Sequence, residues 1–263
     1  MIKESIKQLN DKNQKALSIF LTAGYPKVDN FVDLACKVYE AGADIIELGI
    51  PFSDPLADGP IIQKSSEAAL SNGVSLNLSL ELAEKIKEKI DKPLILMGYA
   101  NPIKRYGIDK FIFDAKESKI DGLIIPDIPL EEYSDFFQNK FSDFEVILLT
   151  TPTSSEERIK KIDELSSGFV YCVSVTGTTG IRQTFTNDVK HNLERTYKII
   201  SNNKMMLGFG ISSPENIKDY KNYTDGFIVG SAVIKSLRAD DDKFTNTLKL
   251  VSELSSACRV DSL

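Results

Sequence analysis

Eight short apolar runs recur along the chain: ALSIFLT (16–22), ADIIELGI (43–50), PLILMGY (93–99), GLIIPDI (122–128), EVILLTT (145–151), GFVYCVSV (168–175), MMLGFGI (205–211) and GFIVG (226–230). They are too short for most helices and lack clean polar alternation, the pattern of parallel strands covered on both faces. Amphipathic helical stretches lie between them, among them FVDLACKVYEAG (31–42), LSLELAEKIKEKI (78–90) and SEERIKKIDELSS (155–167), the last opening on a Ser/Glu capping signal. Eight strands alternating with helices predict one (β/α)8 TIM barrel spanning residues 1–263. An open doubly wound sheet fits less well, because eight units suit barrel closure and no nucleotide fingerprint follows the first strand.

Two intervals break the rhythm. After the second strand comes PFSDPLADG and then an inserted helix, roughly PIIQKSSEAALSNG (60–73); after the sixth comes a polar loop, TGTTGIRQTFTND (176–188). Long loops in a compact domain are usually functional or disordered, and on a barrel they fall where active sites are built. An extra N-terminal helix with Ile2, Ile6 and Leu9 on one face is expected to plug the barrel floor.

Composition narrows the possibilities. A length of 263 residues suits a barrel of about 250. With 42% hydrophobic and 27% charged residues and a net charge of −6, the chain has material for a large core and is no obvious binder of polyanions. One histidine, His191, and three cysteines, Cys36, Cys172 and Cys258, with no CxxC pair, argue against a histidine zinc cluster and a disulfide framework. The opening MIKESIKQLN has no apolar signal core, and no run approaches the roughly 18 residues of a membrane span, so a cytoplasmic protein is expected.

Glu47 interrupts the apolar strand IIELGI, sharing a face with Ile45 and Gly49. A carboxylate among Ile and Leu is costly to bury; it is either an acid/base with raised pKa or a structural carboxylate that accepts hydrogen bonds. In PFSDPLADGP (51–60), Asp58 before Gly59 could set a second carboxylate above the barrel mouth, whereas Asp54 before Pro55 could equally form a turn. Glycines and hydroxyls cluster in TGTTG (176–180), GFGIS (208–212) and VGSAVIKSL (229–237), where backbone N–H groups and a helix starting at Ser231 would suit a phosphate. The alternative is that these glycines only permit tight turns. None of the eight runs carries the lysine of a Schiff-base aldolase, and His191 falls in a polar helical stretch. Carboxylate acid/base chemistry on a small phosphorylated substrate remains.

The segment IELGIPFSDPLADGPIIQ (46–63) resembles the signature of the tryptophan synthase α-subunit family. The resemblance continues through FLTAGYP (20–26), LMGYANPI (96–103), IIPDIPLEE (124–132), YCVSVTGTTG (171–180), GFGIS (208–212) and IVGSAVI (228–234), essentially the whole chain. It implies a lyase that cleaves indole-3-glycerol phosphate to indole and glyceraldehyde 3-phosphate. Glu47 would then be the acid/base and Asp58 would accept the indole N–H; Phe20 and Tyr171 would line the pocket. Gly180, Phe209, Gly210, Gly230 and Ser231 would hold the phosphate. The resemblance further implies an αββα complex with a β-subunit that carries pyridoxal phosphate, no cofactor in this chain, and a partner-facing set of Pro51, Asp54, Asn101 and Asp127. Two departures touch only the closing loop: Thr178 stands where many members have valine, and Val175 where some have arginine. A stand-alone lyase releasing free indole, or a catalytically silent ligand-sensing barrel, are the alternatives; the presence of both Glu47 and Asp58 argues against the silent one.

Overall fold

The computed structural model describes residues 1–137, 140–151, 153–173, 187–208 and 210–259, without the side chains of 187–189. Eight parallel strands close into a barrel in chain order. They are β1 (Ala16–Thr22), β2 (Ile45–Gly49), β3 (Leu94–Met97), β4 (Gly122–Ile124), β5 (Glu145–Thr150), β6 (Phe169–Val173), β7 (Lys204–Gly208) and β8 (Gly226–Val229). The expected TIM barrel is therefore the fold. Around it run α1 (Ile2–Asn10), α2 (Phe31–Glu40), α3 (Pro60–Ser71), α4 (Leu76–Lys87), α5 (Ala100–Tyr106), α6 (Ile108–Glu117), α7 (Tyr133–Phe137), α8 (Glu156–Leu165), α9 (Asn187–Ile199), α10 (Pro214–Tyr220), α11 (Ser231–Arg238) and α12 (Thr245–Arg259).

The inserted helix after β2 is α3, opened by Pro60 at a position where a missing N–H costs nothing. A second doubling, α5 and α6 between β3 and β4, was not expected. Gly107, at φ +96°, both ends α5 and starts α6, a backbone conformation that favours glycine. The β4 run ends sooner than its apolar stretch, at Ile124, two residues before Pro126. The β7 run starts one residue earlier than expected, so a lysine does sit on a strand. Lys204 lies at the N-terminal end of β7 beside Asp225 (3.5 Å), at the opposite end of the barrel from the strand C-termini. His191 is exposed on α9, and the three cysteines are buried free thiols. No helix among the described residues is long and apolar enough to cross a membrane.

The register fixes which side chains fill the barrel. Phe20 pairs with Glu47, Glu47 with Ile95, Ile124 with Ile147, Leu149 with Tyr171, Tyr171 with Met206, and Ser18 with Ile228. Partners in a parallel ladder share a face, as do residues two apart on a strand, so this set lines the inner face of the barrel with mostly apolar residues, among which Ser18 and Glu47 also point. At the floor, Ile2 lies where a side chain on Gly122 would otherwise be (2.6 Å from its Cβ position), and Ile2 and Ile6 are fully buried. The Ile2 N–H donates to Glu145 Oε2 at 2.7 Å, tying α1 beneath β5. The N-terminal helix is thus a floor plug.

Three aspartates stiffen that floor. Asp44, Asp121 and Asp225 each stand one residue before a strand (β2, β4 and β8). Each accepts a backbone N–H from the strand before, at Leu17, Leu94 and Met205, over 2.8–2.9 Å, and donates its own N–H to that same residue's carbonyl. Arg259, Lys87 and Lys204 supply a cation to each carboxylate. Charge-assisted bonds of this kind hold neighbouring strand starts in register, which leaves the opposite strand ends free to carry a site.

Candidate active site

The middle of β2 carries Glu47 into the barrel, where it has no solvent exposure. Strand alternation explains the placement: Ile46 and Leu48 pack outward, so Glu47 must point inward. Ser18 Oγ donates to Glu47 Oε1 at 2.8 Å, while Oε2 has no hydrogen-bond partner among the described residues. Burial pushes the carboxyl up to about 8, only partly offset by the Ser18 hydrogen bond.

Asp58 reaches the same mouth from the loop between β2 and α3. The loop is turned by hydrogen bonds from Leu56 N–H to Asp54 O and from Asp58 N–H to Pro55 O. Asp58 is nearly buried, and Tyr99 Oη donates to its Oδ2 at 2.9 Å while accepting the Ala57 N–H at 3.1 Å. Gln63 Nε2 donates to the Asp58 carbonyl, and Phe52 packs on Tyr99 with ring centroids 5.3 Å apart. Burial raises Asp58 to about 6, with the Tyr99 hydroxyl working the other way. Tyr171, from β6, feels both carboxylates, and burial and their charge hold its hydroxyl well above the usual range. The three groups therefore converge on one region of the mouth.

Two glycines shape the apolar part of that region. The Phe20 ring lies 2.4 Å from where a Gly49 Cβ would stand, and the Tyr171 hydroxyl 2.4 Å from that of Gly208. Any larger residue at either position would displace the ring that covers it. Gly230, beside Phe20, is the N-cap of α11 and has no side chain with which to cap it, so the start of that helix at Ser231 is left without a side-chain cap from its N-cap residue. Gly210 takes φ +86° in the loop after β7.

A pair of carboxyls whose environments push them to different pKa values is the usual sign of divided acid and base roles. Near neutral pH the inner one is mostly protonated and the outer one mostly ionised. One can donate a proton; the other can face a cation.

Residues 6–260 match the family model described as tryptophan synthase alpha chain. The chain belongs to the tryptophan synthase alpha chain family. It is 45% identical, over 95% of its length and 96% of the relative's, to the tryptophan synthase alpha chain of Petrotoga mobilis. It is similar in structure to the tryptophan synthase of Mycobacterium tuberculosis, with a TM-score of 0.89 at 32% identity over 99% of this chain and 98% of that one. The tryptophan synthase subunit alpha of Legionella pneumophila gives 0.84 at 33% identity, over 98% and 97% of the two chains.

Of the residues that the resemblance to this family singled out, Phe20, Glu47, Asp58 and Tyr171 come together at the mouth, Gly210 and Gly230 lie just after β7 and β8, and Ser231 opens α11. Gly180 and Phe209 lie outside the described residues, as do Val175 and Thr178. Asp54, Asn101 and Asp127 are exposed and Pro51 is buried. The Asp127 carboxylate accepts the Ala100 N–H at the start of α5 (3.0 and 3.2 Å), and Tyr99 beside it holds Asp58. The loop, α5 and Asp127 thus form one linked rim, from which Leu56 projects 88% exposed.

Two contacts escaped the reading of the sequence: Ser18 on Glu47 and Tyr99 on Asp58. The first left a trace, since Ser18 is a polar residue in the middle of a strand whose other polar residue, Thr22, only ends it. Tyr99 lay in a recognised segment, but nothing in the sequence tells which carboxylate its hydroxyl reaches.

Proposed function

We propose that this chain is the lyase of tryptophan synthase, cleaving indole-3-glycerol phosphate to indole and glyceraldehyde 3-phosphate. One observation supports this most: a fully buried carboxyl at the barrel mouth, held by one oxygen and without a partner among the described residues at the other, with a second carboxylate nearby. Glu47, protonated at rest, gives its proton to C3 of the indole ring. The ring becomes a cation, and the Asp58 carboxylate accepts its N–H and balances its charge. The Glu47 carboxylate then takes the proton from the hydroxyl on the adjoining glycerol carbon. The bond between that carbon and indole C3 breaks, its electrons return to the ring, and the carbon leaves as an aldehyde. Glu47 ends protonated, as it began.

Phe20 and Tyr171 flank the indole in this reading. Gly180, Phe209, Gly210, Gly230 and Ser231 hold the phosphate, largely by backbone N–H groups with the start of α11. Ser231→Asp should raise KM by about tenfold or more through like-charge repulsion. Steady-state kinetics read this directly, and an unchanged KM would put the phosphate elsewhere.

The whole chain, 1–263, acts as a single barrel domain in the cytoplasm. It needs no cofactor of its own; pyridoxal phosphate belongs to the β-subunit, with which it forms an αββα complex. The linked rim supports that surface: Asp54, Asn101 and Asp127 face solvent around the exposed Leu56, and Pro51 stiffens the loop behind them. Indole release by the purified chain, alone and with added β-subunit, tests the assignment. Slow release that the β-subunit stimulates strongly is expected. Fast release indifferent to the β-subunit would mean a free-standing lyase, and none in either case a silent barrel.

A further inference from the structure

We propose that Ser18 is a positioning residue for Glu47: its hydroxyl holds Oε1 and so selects Oε2 as the oxygen that exchanges protons with substrate. The inference rests on the reading of Glu47 as acid/base and goes one step further, to a residue on a different strand.

Ser18 lies on the inner face of β1, fully buried, one inward step before Phe20, the register partner of Glu47. A serine hydroxyl has one proton to donate, and here it goes to Oε1 over 2.8 Å. A protonated carboxyl carries its proton on one oxygen and accepts on the other. With Oε1 engaged as acceptor, the proton sits on Oε2, the oxygen without a partner among the described residues. The hydroxyl thereby fixes both the rotamer and the tautomer of the acid.

It also fixes the acid's strength. When Glu47 gives up its proton, the new carboxylate keeps one donor in a buried place, and a hydrogen bond to the charged form favours that form. Among the described residues, Tyr171 from β6 lies within electrostatic reach of Glu47, and of Asp58 from the loop after β2 as well. Neither supplies a positive charge, and the inner-face residues of β3 are apolar. Ser18 is the stabilising contact seen for the anion among the described residues.

Ser18→Val and Ser18→Thr form the test, since they differ mainly by a hydroxyl for a methyl. With β-subunit present, Ser18→Val should lower kcat for indole-3-glycerol phosphate about tenfold, with KM within about twofold because Ser18 does not touch substrate. The alkaline limb of the pH–rate profile should move upward by about one unit, since the acid is weaker without its donor. Ser18→Thr should restore both. Infrared titration of the carboxyl band that Glu47→Gln abolishes should show the same shift without any turnover. Equal kcat and equal limbs in the Val and Thr variants would overturn the proposal and reduce Ser18 to packing. Retained turnover in Glu47→Gln would instead overturn the acid/base reading, and the infrared titration would still report whether Ser18 controls the carboxyl. If Ser18→Val does not fold, Ser18→Ala takes its place against Ser18→Thr with the same outcomes.

Discussion

Glu47→Gln should lower turnover of indole-3-glycerol phosphate by about 100-fold or more, with little change in KM. Glutamine nearly preserves the shape of the side chain and can still accept the Ser18 hydrogen bond, so the pocket remains and only the exchangeable proton is lost. The wild-type carboxyl, raised to about 8, keeps that proton at neutral pH, where an ordinary surface glutamate would have lost it. Turnover in the wild type should therefore fall as the pH rises through about 8, and the variant's residual rate should show no such limb. Near-normal turnover in Glu47→Gln would remove Glu47 from the chemistry.

The same substitution should stabilise the fold at alkaline pH. The folded-state pKa lies above that of the unfolded chain, so the folded protein binds the proton more tightly than the unfolded one. This contribution to stability is fully present below the unfolded value of about 4.5 and is lost as the pH rises towards 8. Each unit in that window costs about 1.4 kcal/mol. A glutamine carries no such cost. The melting temperature of Glu47→Gln, measured against wild type from pH 5 to 8.5, should rise relative to it along the series. A constant difference would mean that the carboxyl is not buried as the structure has it. Stability surrendered in this way fits the proposed role of Glu47, since enzymes commonly trade stability for activity at such positions.

How much of this was legible in the sequence depends on the distance over which each feature is decided. Strands are decided locally: β1 matches its apolar run residue for residue, and Pro126 explains why β4 stops short of Ile128. Alternation put Glu47 on one face with Ile45 and Gly49, and the barrel ladder shows that this face is the inner one. The glycine at position 107 was visible too, but a single glycine inside a helical stretch reads equally as a weak helix or a break. What joins strands was not legible. The three floor aspartates look like loop residues until the ladder shows each carboxylate on the strand before it. Ser18 and Tyr99 are of the same kind: their partners are 29 and 41 residues away, and no periodicity encodes which carboxylate a hydroxyl will meet.

Asp58→Asn should cost about 100-fold in kcat, again with KM nearly preserved. The reason is timing. The indole N–H is a donor in the ground state and needs only an acceptor, which the asparagine carbonyl supplies. Full positive charge appears on the ring only after C3 is protonated, and then a neutral amide answers it poorly in a place shielded from water. Tyr99 adds a second effect. Its hydroxyl donates to Asp58 Oδ2, so it both aims the carboxylate and favours its charged form, yet burial still lifts the pKa to about 6. Wild-type turnover should thus decline as the pH falls through about 6, because a protonated Asp58 no longer offsets the ring charge. Together with the limb near 8, this makes a bell whose two sides belong to two different carboxyls. In Asp58→Asn the acid side should vanish while the alkaline side stays. A variant that keeps both limbs and loses less than twofold in kcat would show that the charge on the ring is balanced elsewhere, and would leave Asp58 only the task of closing the loop over Tyr99.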